Sequence, residues 1–150
     1  MKAVLQRVSE ASVKVDGEII SKIENGFLVL LGVADNDEKE DADWLINKII
    51  NLRVFSDSNG MMNKSVLDID GEVLVISQFT LFARVKKGNR PSFIAAAKPE
   101  KAIPMYEDFI VQISEALGKK AGAGKFGADM KVALINDGPV TISIDTKNKE

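Results

Sequence analysis

Catalytic chemistry in this 150-residue chain has to come from hydroxyl, amide, carboxylate, amine and backbone groups, because the sequence has no histidine and no cysteine. The usual general base for a hydroxyl nucleophile, the usual nitrogen ligand for zinc and every thiolate are therefore missing. In the stretch SQFTLF, Ser77 to Phe82, polar residues interrupt both apolar faces of a predicted strand. Either these polar groups are buried and satisfied by nearby backbone, or the strand end lines a pocket where Thr80 and backbone N–H groups face a substrate.

A second candidate is the basic loop RVKKGNRP, Arg84 to Pro91, which places four cations within seven positions. The formal net charge of the whole chain is -2, which argues against broad attraction to nucleic acid. A polyanionic partner therefore needs a local patch of this kind. Lys86, Lys87 and Arg90 are our candidates for phosphate contacts, and a loop that simply faces solvent is the alternative.

Two other motifs fail the requirements of a ligand site. The segment from Asp35 to Asp43 has six carboxylates but lacks the glycine and the ligand spacing of a calcium loop, so we expect a solvated helix start. The segment GKKAGAGKFG, Gly118 to Gly127, fails as a phosphate loop because Phe126 follows Lys125, where serine or threonine would bind magnesium. We therefore expect no metal site and no cofactor.

The stretch NDGPVT, Asn136 to Thr141, lies between the apolar runs Val132 to Ile135 and Val140 to Ile144. Asp-Gly between two such runs predicts a hairpin turn. Pro139 is awkward there, because it removes a backbone donor where the next strand should begin to pair. Turn chemistry alone gives this stretch no more than a connecting role.

Strands predominate among the elements that must position these residues. Alternating or continuous apolar runs, bounded by turn residues, predict most of them. Besides the two runs flanking NDGPVT, the predicted strands are Ala3 to Val8, Ser12 to Val15, Glu18 to Ile23, Gly26 to Val33, Val66 to Ile69 and Glu72 to Val85. Asp16-Gly17 and Asp70-Gly71 predict hairpin turns between neighbouring strands, and 118–127 reads as a flexible connection.

Helical spacing of apolar residues predicts two helices, from Asp37 to Val54 and from Pro99 to Leu117, and Gly118 ends the second. Length and composition fit a single domain, 1–150, with 146–150 as a flexible tail. The predicted fold is α+β, with a mostly antiparallel sheet and two main helices. The sequence has no signal peptide and no membrane-spanning run, so we expect a cytoplasmic protein without a membrane partner.

Several of these stretches, taken together, resemble one known family. SQFTLF is followed by KGNRPSF (Lys87 to Phe93) and FGADMKVALINDGPVT (Phe126 to Thr141), and LQRV (Leu5 to Val8) lies near the start. These segments are similar, in content and order, to the motifs of D-aminoacyl-tRNA deacylases. The likeness extends from Met1 to about Asp145.

The resemblance implies a homodimeric hydrolase that cleaves the ester between a D-amino acid and the 3'-terminal adenosine of tRNA. It also implies activity on glycyl-tRNA mischarged on tRNA-Ala, a barrel-like sheet at the dimer interface, and active sites completed by the partner subunit. By the same resemblance, Gly138 and Pro139 form a cis pair, and the carbonyls of this pair exclude an L side chain from the partner subunit's site. Such a wall rejects by collision, whereas one methylene in an apolar pocket is worth only ~1 to 3 kcal/mol.

The resemblance also assigns roles within the site. We expect the N–H groups of Phe79 and Thr80 to bind the oxyanion formed when water attacks the ester. The base is either the Thr80 hydroxyl or the 2'-hydroxyl of the terminal ribose, which we favour because the sequence offers Thr80 no evident base. The remaining candidates shape the pocket or brace the Gly-Pro pair: Ser77, Gln78, Phe126, Met130 and Arg7.

Two alternative functions remain compatible with the sequence. One is a sister deacylase with relaxed chirality, in which the Gly138-Pro139 bond is trans and the pocket is more open. The other is a non-catalytic dimeric RNA-binding module. The sequence leaves open the isomer of that bond, the preferred amino acid and tRNA, and any assistance by a metal.

Overall fold

A six-stranded mixed sheet, the main sheet, forms the centre of the computed structural model, which describes all 150 residues. The chain's strands are β1 (Lys2–Val15), β2 (Glu18–Ile23), β3 (Gly26–Gly32), β4 (Phe55–Ser56), β5 (Met62–Lys64), β6 (Glu72–Ser77), β7 (Gly122–Ala123) and β8 (Lys131–Asp145). In the main sheet, β1 pairs antiparallel with β2, β3 and β8. β6 pairs parallel with β3 and β7, while β4 and β5 form a separate antiparallel pair. Since β1 pairs along its length with three strands, the main sheet curls into a nearly closed, barrel-like form.

Two helices, α1 (Lys39–Asn51) and α2 (Pro99–Leu117), pack together with the main sheet. The larger apolar core brings buried residues of both helices, such as Leu45 and Phe109, against strand residues such as Leu5 and Phe27. A smaller core contains Leu28, which alternates with the larger core's residues along β3, and residues from the second half of β1, such as Ala11 and Val13. Neither helix combines the length and the apolar composition needed to cross a bilayer.

The predicted fold class is confirmed, and two local predictions hold to the residue. α2 begins at Pro99 and ends at Leu117, and Gly118 caps it in the left-handed conformation with φ 71°. Asp16 and Gly17 form the predicted two-residue turn, with φ values of 51° and 81°, between β1 and β2. β3 is almost entirely buried, as its continuous apolar run predicted.

The hairpin predicted at Asp70-Gly71 is wrong. Residues 66–70 form turns rather than a strand, and Gly71 N–H donates to the Val66 carbonyl at 2.8 Å. β6 instead pairs in parallel with β3, across a connection that contains α1 and the β4–β5 pair. The Asp-Gly signal does predict the turn conformation of the backbone, since Asp70 has φ 52°. It carries no information about which strand pairs with β6.

The hairpin predicted at NDGPVT is also wrong, because β8 is one continuous strand that pairs with β1 along both its halves. Asn136 lies opposite Val8 and Thr141 lies opposite Gln6. Four residues, 137–140, therefore stand opposite Arg7 alone, and we call them the Gly-Pro bulge. β1 likewise runs without a break through the gap predicted between its two halves.

Two carboxylates of the acidic stretch are buried, although a solvated helix start was predicted. Asp37 contacts the Met1 ammonium at 2.5 Å, and Asp41 accepts a hydrogen bond from Lys147 Nζ at 2.6 Å. Thr146 is buried as well, and its N–H donates to the Met1 carbonyl at 2.9 Å. Cationic partners make this burial possible, and they hold the first residues of the predicted tail against the domain.

Candidate active site

The site is built where β6 ends. The strand predicted to reach Val85 stops at Ser77, and the chain turns into a short 3-10 helix, Phe79–Phe82. Close packing on β3 positions this helix, because a Cβ on Gly32 would lie 2.9 Å from the Phe82 ring and 3.0 Å from the Gln78 carbonyl oxygen. Only a residue without a side chain allows this approach.

Phe79 and Thr80 are the first two residues of that helix, and both are exposed. The N–H groups at the start of a helix have no carbonyl one turn earlier to bind, so these two donors are left for another acceptor. Two adjacent donors of this kind are the usual components of an oxyanion site.

The Thr80 hydroxyl has one side-chain partner, Gln78, whose Nε2 donates a hydrogen bond to Thr80 Oγ1. An amide is not a base, and no carboxylate or amine is hydrogen-bonded to this hydroxyl. In this pair the Thr80 oxygen is the acceptor, so its own proton is available for donation. The geometry therefore gives Thr80 no partner that would activate it as a nucleophile.

A cavity of about 780 Å³ opens beside the end of β6. Its volume lies within the range of small-molecule sites, and fourteen of its twenty-one lining residues are hydrophobic. The walls come from β3, β6, the start of α2 and the segment before β8. Five predicted site residues line it: Ser77, Gln78, Phe79, Phe126 and Met130. Thr80 is not among the lining residues, although its two preceding neighbours are.

Tyr106 of α2 also lines this cavity, although it was not among the predicted site residues. Its hydroxyl donates to the Val75 carbonyl at 2.8 Å, and its ring lies 6.0 Å from the Phe126 ring. Burial raises the pKa of Tyr106 to about 12, so the hydroxyl stays a protonated donor. Tyr106 thus links α2 to β6 and supports Phe126 in the wall. Helical periodicity alone does not distinguish a cavity wall from the core.

Gly138 and Pro139 are exposed in the Gly-Pro bulge, and neither lines the cavity. The peptide bond between them is cis. Arg7 is buried against the bulge, where its Nε donates to the Asp137 carbonyl at 2.9 Å and its Nη1 donates to the Val54 carbonyl at 2.6 Å. A Cβ on Gly138 would lie 2.9 Å from Arg7 Nη2. Arg7 is therefore in direct contact with the Gly-Pro pair.

The predicted phosphate-binding residues lie in an exposed loop connected to the cavity rim at both ends. The loop follows the 3-10 helix, and two backbone hydrogen bonds between Arg84 and Ser92, of 2.8 and 3.0 Å, close it. The next residue, Phe93, lines the cavity and packs against Phe79 with 5.1 Å between ring centroids. The cations of this loop form no ion pairs within the chain: Lys86, Lys87 and Arg90.

Sequence comparison identifies the family to which this arrangement belongs. The model of the D-Tyr-tRNA(Tyr) deacylase family matches residues 4–145. The chain belongs to this deacylase family. A D-aminoacyl-tRNA deacylase of Flavobacterium psychrophilum is 62% identical to it over 150 residues, and one of Bacteroides fragilis is 61% identical, each match covering the whole of both chains. The resemblance found in the sequence is confirmed, and the chain is a hydrolase with D-aminoacyl-tRNA deacylase activity.

Solved structures agree with this assignment of the deacylase fold. The c-Myc DNA Unwinding Element Binding Protein is 46% identical, with a TM-score of 0.92 over 97% of this chain and 98% of the other. A probable eukaryotic D-amino acid tRNA deacylase shares the fold, with a TM-score of 0.82 at 16% identity.

The residues predicted for this deacylase fall into three groups in one subunit. The first surrounds the cavity at the end of β6, and the second is the Gly-Pro bulge with Arg7. The third is the cationic loop at the rim. The structure brings no group of three or more acidic side chains together where a metal ion could bind. The chain thus presents the cavity and the bulge as separate parts.

Proposed function

We propose that this deacylase acts as a chiral proofreading enzyme in the cytoplasm, where tRNA is aminoacylated. It hydrolyses D-aminoacyl-tRNA and glycyl-tRNA, including glycine mischarged on tRNA-Ala, and it rejects L-aminoacyl-tRNA. One observation carries the proposal: the Gly-Pro bulge is exposed and lies outside the cavity of its own subunit. The bulge therefore needs a second copy of the chain to reach a site.

A homodimer is supported by the outer edge of β8. This fifteen-residue strand pairs only with β1, which leaves its other edge without a partner. Long unpaired strand edges tend to associate, and proteins usually cover them. Ile135 on this strand is 54% exposed, which adds apolar area to the same surface. In a two-fold dimer each subunit contributes the same patch, so a bulge that enters the partner's cavity does so in both subunits.

Chiral selection follows from the chemistry of the bulge. The carbonyls of Gly138 and Pro139 form a wall without a flexible side chain that could yield. An L side chain would strike this wall, whereas a D side chain points away from it and glycine has no side chain to collide. Arg7 holds the wall through its hydrogen bonds to Asp137 and Val54. Selection is then strict for handedness and tolerant of side-chain identity.

In the proposed reaction, water attacks the ester carbonyl carbon and the bond to the 3'-oxygen of the ribose breaks. The N–H groups of Phe79 and Thr80 bind the oxyanion, a contribution of about 3 to 4 kcal/mol per donor in other enzymes. The 2'-hydroxyl of the same ribose relays the water proton to the leaving 3'-oxygen. Substrate assistance is favoured because Gln78 donates to Thr80 Oγ1 and no basic side chain is hydrogen-bonded to that hydroxyl.

The loop cations are proposed to hold the phosphates of the acceptor end. Each phosphate contact releases counterions, so binding must weaken as salt increases. Reversing the charge of Lys86 and Lys87 together should reduce the slope of log Kd against log salt by about one to two. If the slope for tRNA binding were unchanged in the double variant, Lys86 and Lys87 would not contact the phosphates.

The proposed specificity is tested with D-Tyr-tRNA, L-Tyr-tRNA and Gly-tRNA, each incubated with the purified protein. We expect release of D-tyrosine and glycine, with L-Tyr-tRNA left intact. Comparable release of L-tyrosine would instead support a deacylase with relaxed chirality. Binding of all three substrates without turnover would support the RNA-binding module.

A further inference from the structure

Two side chains that have no role assigned above, Asn136 and Thr141, bond to each other where the two ends of the Gly-Pro bulge meet. A segment of four residues opposite one residue takes backbone groups away from their ladder partners. Asn136, the last residue before the bulge, compensates for one of them. Its Oδ1 accepts a hydrogen bond from Val140 N–H at 2.9 Å. The residue after Pro139 thus has its donor satisfied by a side chain instead of by the neighbouring strand.

The other end of the same amide reaches the residue that follows the bulge. Asn136 Nδ2 donates to Thr141 Oγ1 at 2.9 Å. Val140 N–H can only donate, so it fixes the amide oxygen on its own side and leaves Nδ2 for Thr141. Gln6 Nε2 on β1 also donates to Thr141 Oγ1, at 3.4 Å. A single side chain therefore ties the beginning of the bulge to its end.

Arg7 holds a different part of the bulge. Its contacts are with the Asp137 carbonyl and with the space that a Gly138 side chain would occupy. Asn136 holds the C-terminal end of the bulge, through hydrogen bonds with Val140 and Thr141. Gly138 and Pro139 lie between these two attachments. A backbone wall that rejects by collision must not move, so both attachments are needed to fix it.

We propose that Asn136 is a positioning residue for chiral discrimination, acting with Thr141 to hold the Gly138 and Pro139 carbonyls at the distance that excludes an L side chain. This inference rests on the proposed function of the bulge. Asn136 acts through the bulge and makes no contact with substrate. Asparagine is suited to the position because it supplies an acceptor and a donor within one short side chain.

Three variants test the proposal. Asn136→Ala removes both hydrogen bonds, Asn136→Asp keeps the acceptor for Val140 and loses the donor to Thr141, and Thr141→Val removes only the acceptor of the second bond. Asn51→Ala is the matched control, because Asn51 is exposed and bonds only to Asn47 within α1. The full-length proteins are compared by single-turnover deacylation of D-Tyr-tRNA and L-Tyr-tRNA and by thermal unfolding.

For Asn136→Ala we expect the ratio of D to L rates to fall about thirtyfold, because two positioning hydrogen bonds are lost and each contributes about fivefold. Asn136→Asp and Thr141→Val should show smaller decreases in this ratio, and Asn51→Ala should keep the wild-type ratio. If Asn136→Ala fails to fold, a fall in the ratio of D to L rates in Asn136→Asp and Thr141→Val still tests the proposal.

A wild-type ratio in the folded Asn136 and Thr141 variants would overturn the inference. So would a parallel fall in both rates together with lower thermal stability, because that result indicates a purely structural role. Failure of the proposed function itself looks different, since wild-type protein would then hydrolyse both enantiomers or neither.

Discussion

Thr80 shows how the environment of a single side chain decides between two mechanisms. Its hydroxyl lies in the first turn of a short helix, next to two unoccupied N–H donors. Gln78 donates to its oxygen, and no basic side chain is hydrogen-bonded to this hydroxyl. The position therefore favours hydrogen-bond donation to the substrate over covalent attack on the ester.

Replacing Thr80 separates these two mechanisms. Thr80→Ala removes the hydroxyl but keeps the backbone donors, so we expect single-turnover deacylation of D-Tyr-tRNA to slow by about tenfold or less, the value of one modest hydrogen bond. Thr80→Ser should retain nearly full activity. Complete loss in Thr80→Ala, with folding and tRNA binding intact, would show that the hydroxyl is the nucleophile.

Gly138 is the position in the bulge where we expect an added side chain to disturb the structure most. It has φ 132°, and an added Cβ would lie 2.8 Å from Val140 Cγ2 and 2.9 Å from Arg7 Nη2. Gly138→Ala should lower stability by about 1 to 3 kcal/mol and reduce the ratio of D to L hydrolysis. Gly60→Ala is the matched control, since Gly60 also has positive φ, 78°, but open space around it. Equal thermal stability of the two variants would contradict the close contact.

At the scale of elements, the start of α1 is linked to both ends of the chain. Burial acts to raise the pKa of the Asp41 carboxyl, but hydrogen bonds from Lys147 Nζ, Glu38 N–H and Thr146 outweigh it. The net result is a pKa well below the ordinary value of 3.8. A carboxyl whose folded-state pKa is lowered stabilises the fold above its unfolded-state pKa. That stabilisation is lost as pH falls through the folded-state value.

Lys147→Met tests this linkage through pH. Removing the cation should lower the thermal midpoint at pH 7, where Asp41 is ionised in both states. The difference from wild type should shrink as the pH falls below about 4, because the carboxyl then begins to bind a proton in the unfolded state. Lys131→Met serves as a control, since its pair with Asp129 is exposed. A difference between Lys147→Met and wild type that is independent of pH would contradict the account.

Local signals in the sequence predict backbone conformation better than they predict strand partners. Asp-Gly occurs three times, and at Asp16 and Asp70 it correctly indicates positive φ. Only the first occurrence joins two paired strands. The second precedes a strand that pairs in parallel with β3, and the third lies in the Gly-Pro bulge of β8. Partner choice depends on contacts distant in sequence, which a turn signal does not encode.

The same limit applies to the site. The polar residues of SQFTLF indicated a pocket, although the strand was predicted to continue to Val85 and ends at Ser77. Five of the residues that line the cavity were named in advance from the motifs that carry the family resemblance. Tyr106 was missed because a wall residue and a core residue have the same helical spacing. The role inferred here for Asn136 was missed because its importance depends on the register of β8 against β1, which only the structure provides.

At the scale of the whole molecule, one subunit holds the parts of the site in separate places. The cavity opens at the end of β6, and the Gly-Pro bulge is exposed on the edge strand β8. The account therefore requires two copies, with each bulge acting in the partner's cavity. The register indicates how to remove the wall: without residues 138–140, Asp137 would stand opposite Arg7, and only the second shift in the β1–β8 ladder, between Val8 and Glu10, would remain.

Mixed dimers test this central claim most directly. The variant lacking 138–140 should hydrolyse L-Tyr-tRNA as well as D-Tyr-tRNA, and Gln78→Trp, which fills its own cavity but keeps its bulge, should be inactive alone. When Gln78→Trp is in excess, nearly every subunit that lacks 138–140 is paired with a Gln78→Trp subunit. The open cavity of the first subunit then faces the intact bulge of the second. We predict that L-Tyr-tRNA hydrolysis then falls while D-Tyr-tRNA hydrolysis persists. Unchanged hydrolysis of L-Tyr-tRNA in dimers shown to be mixed would contradict a chiral filter acting across the interface.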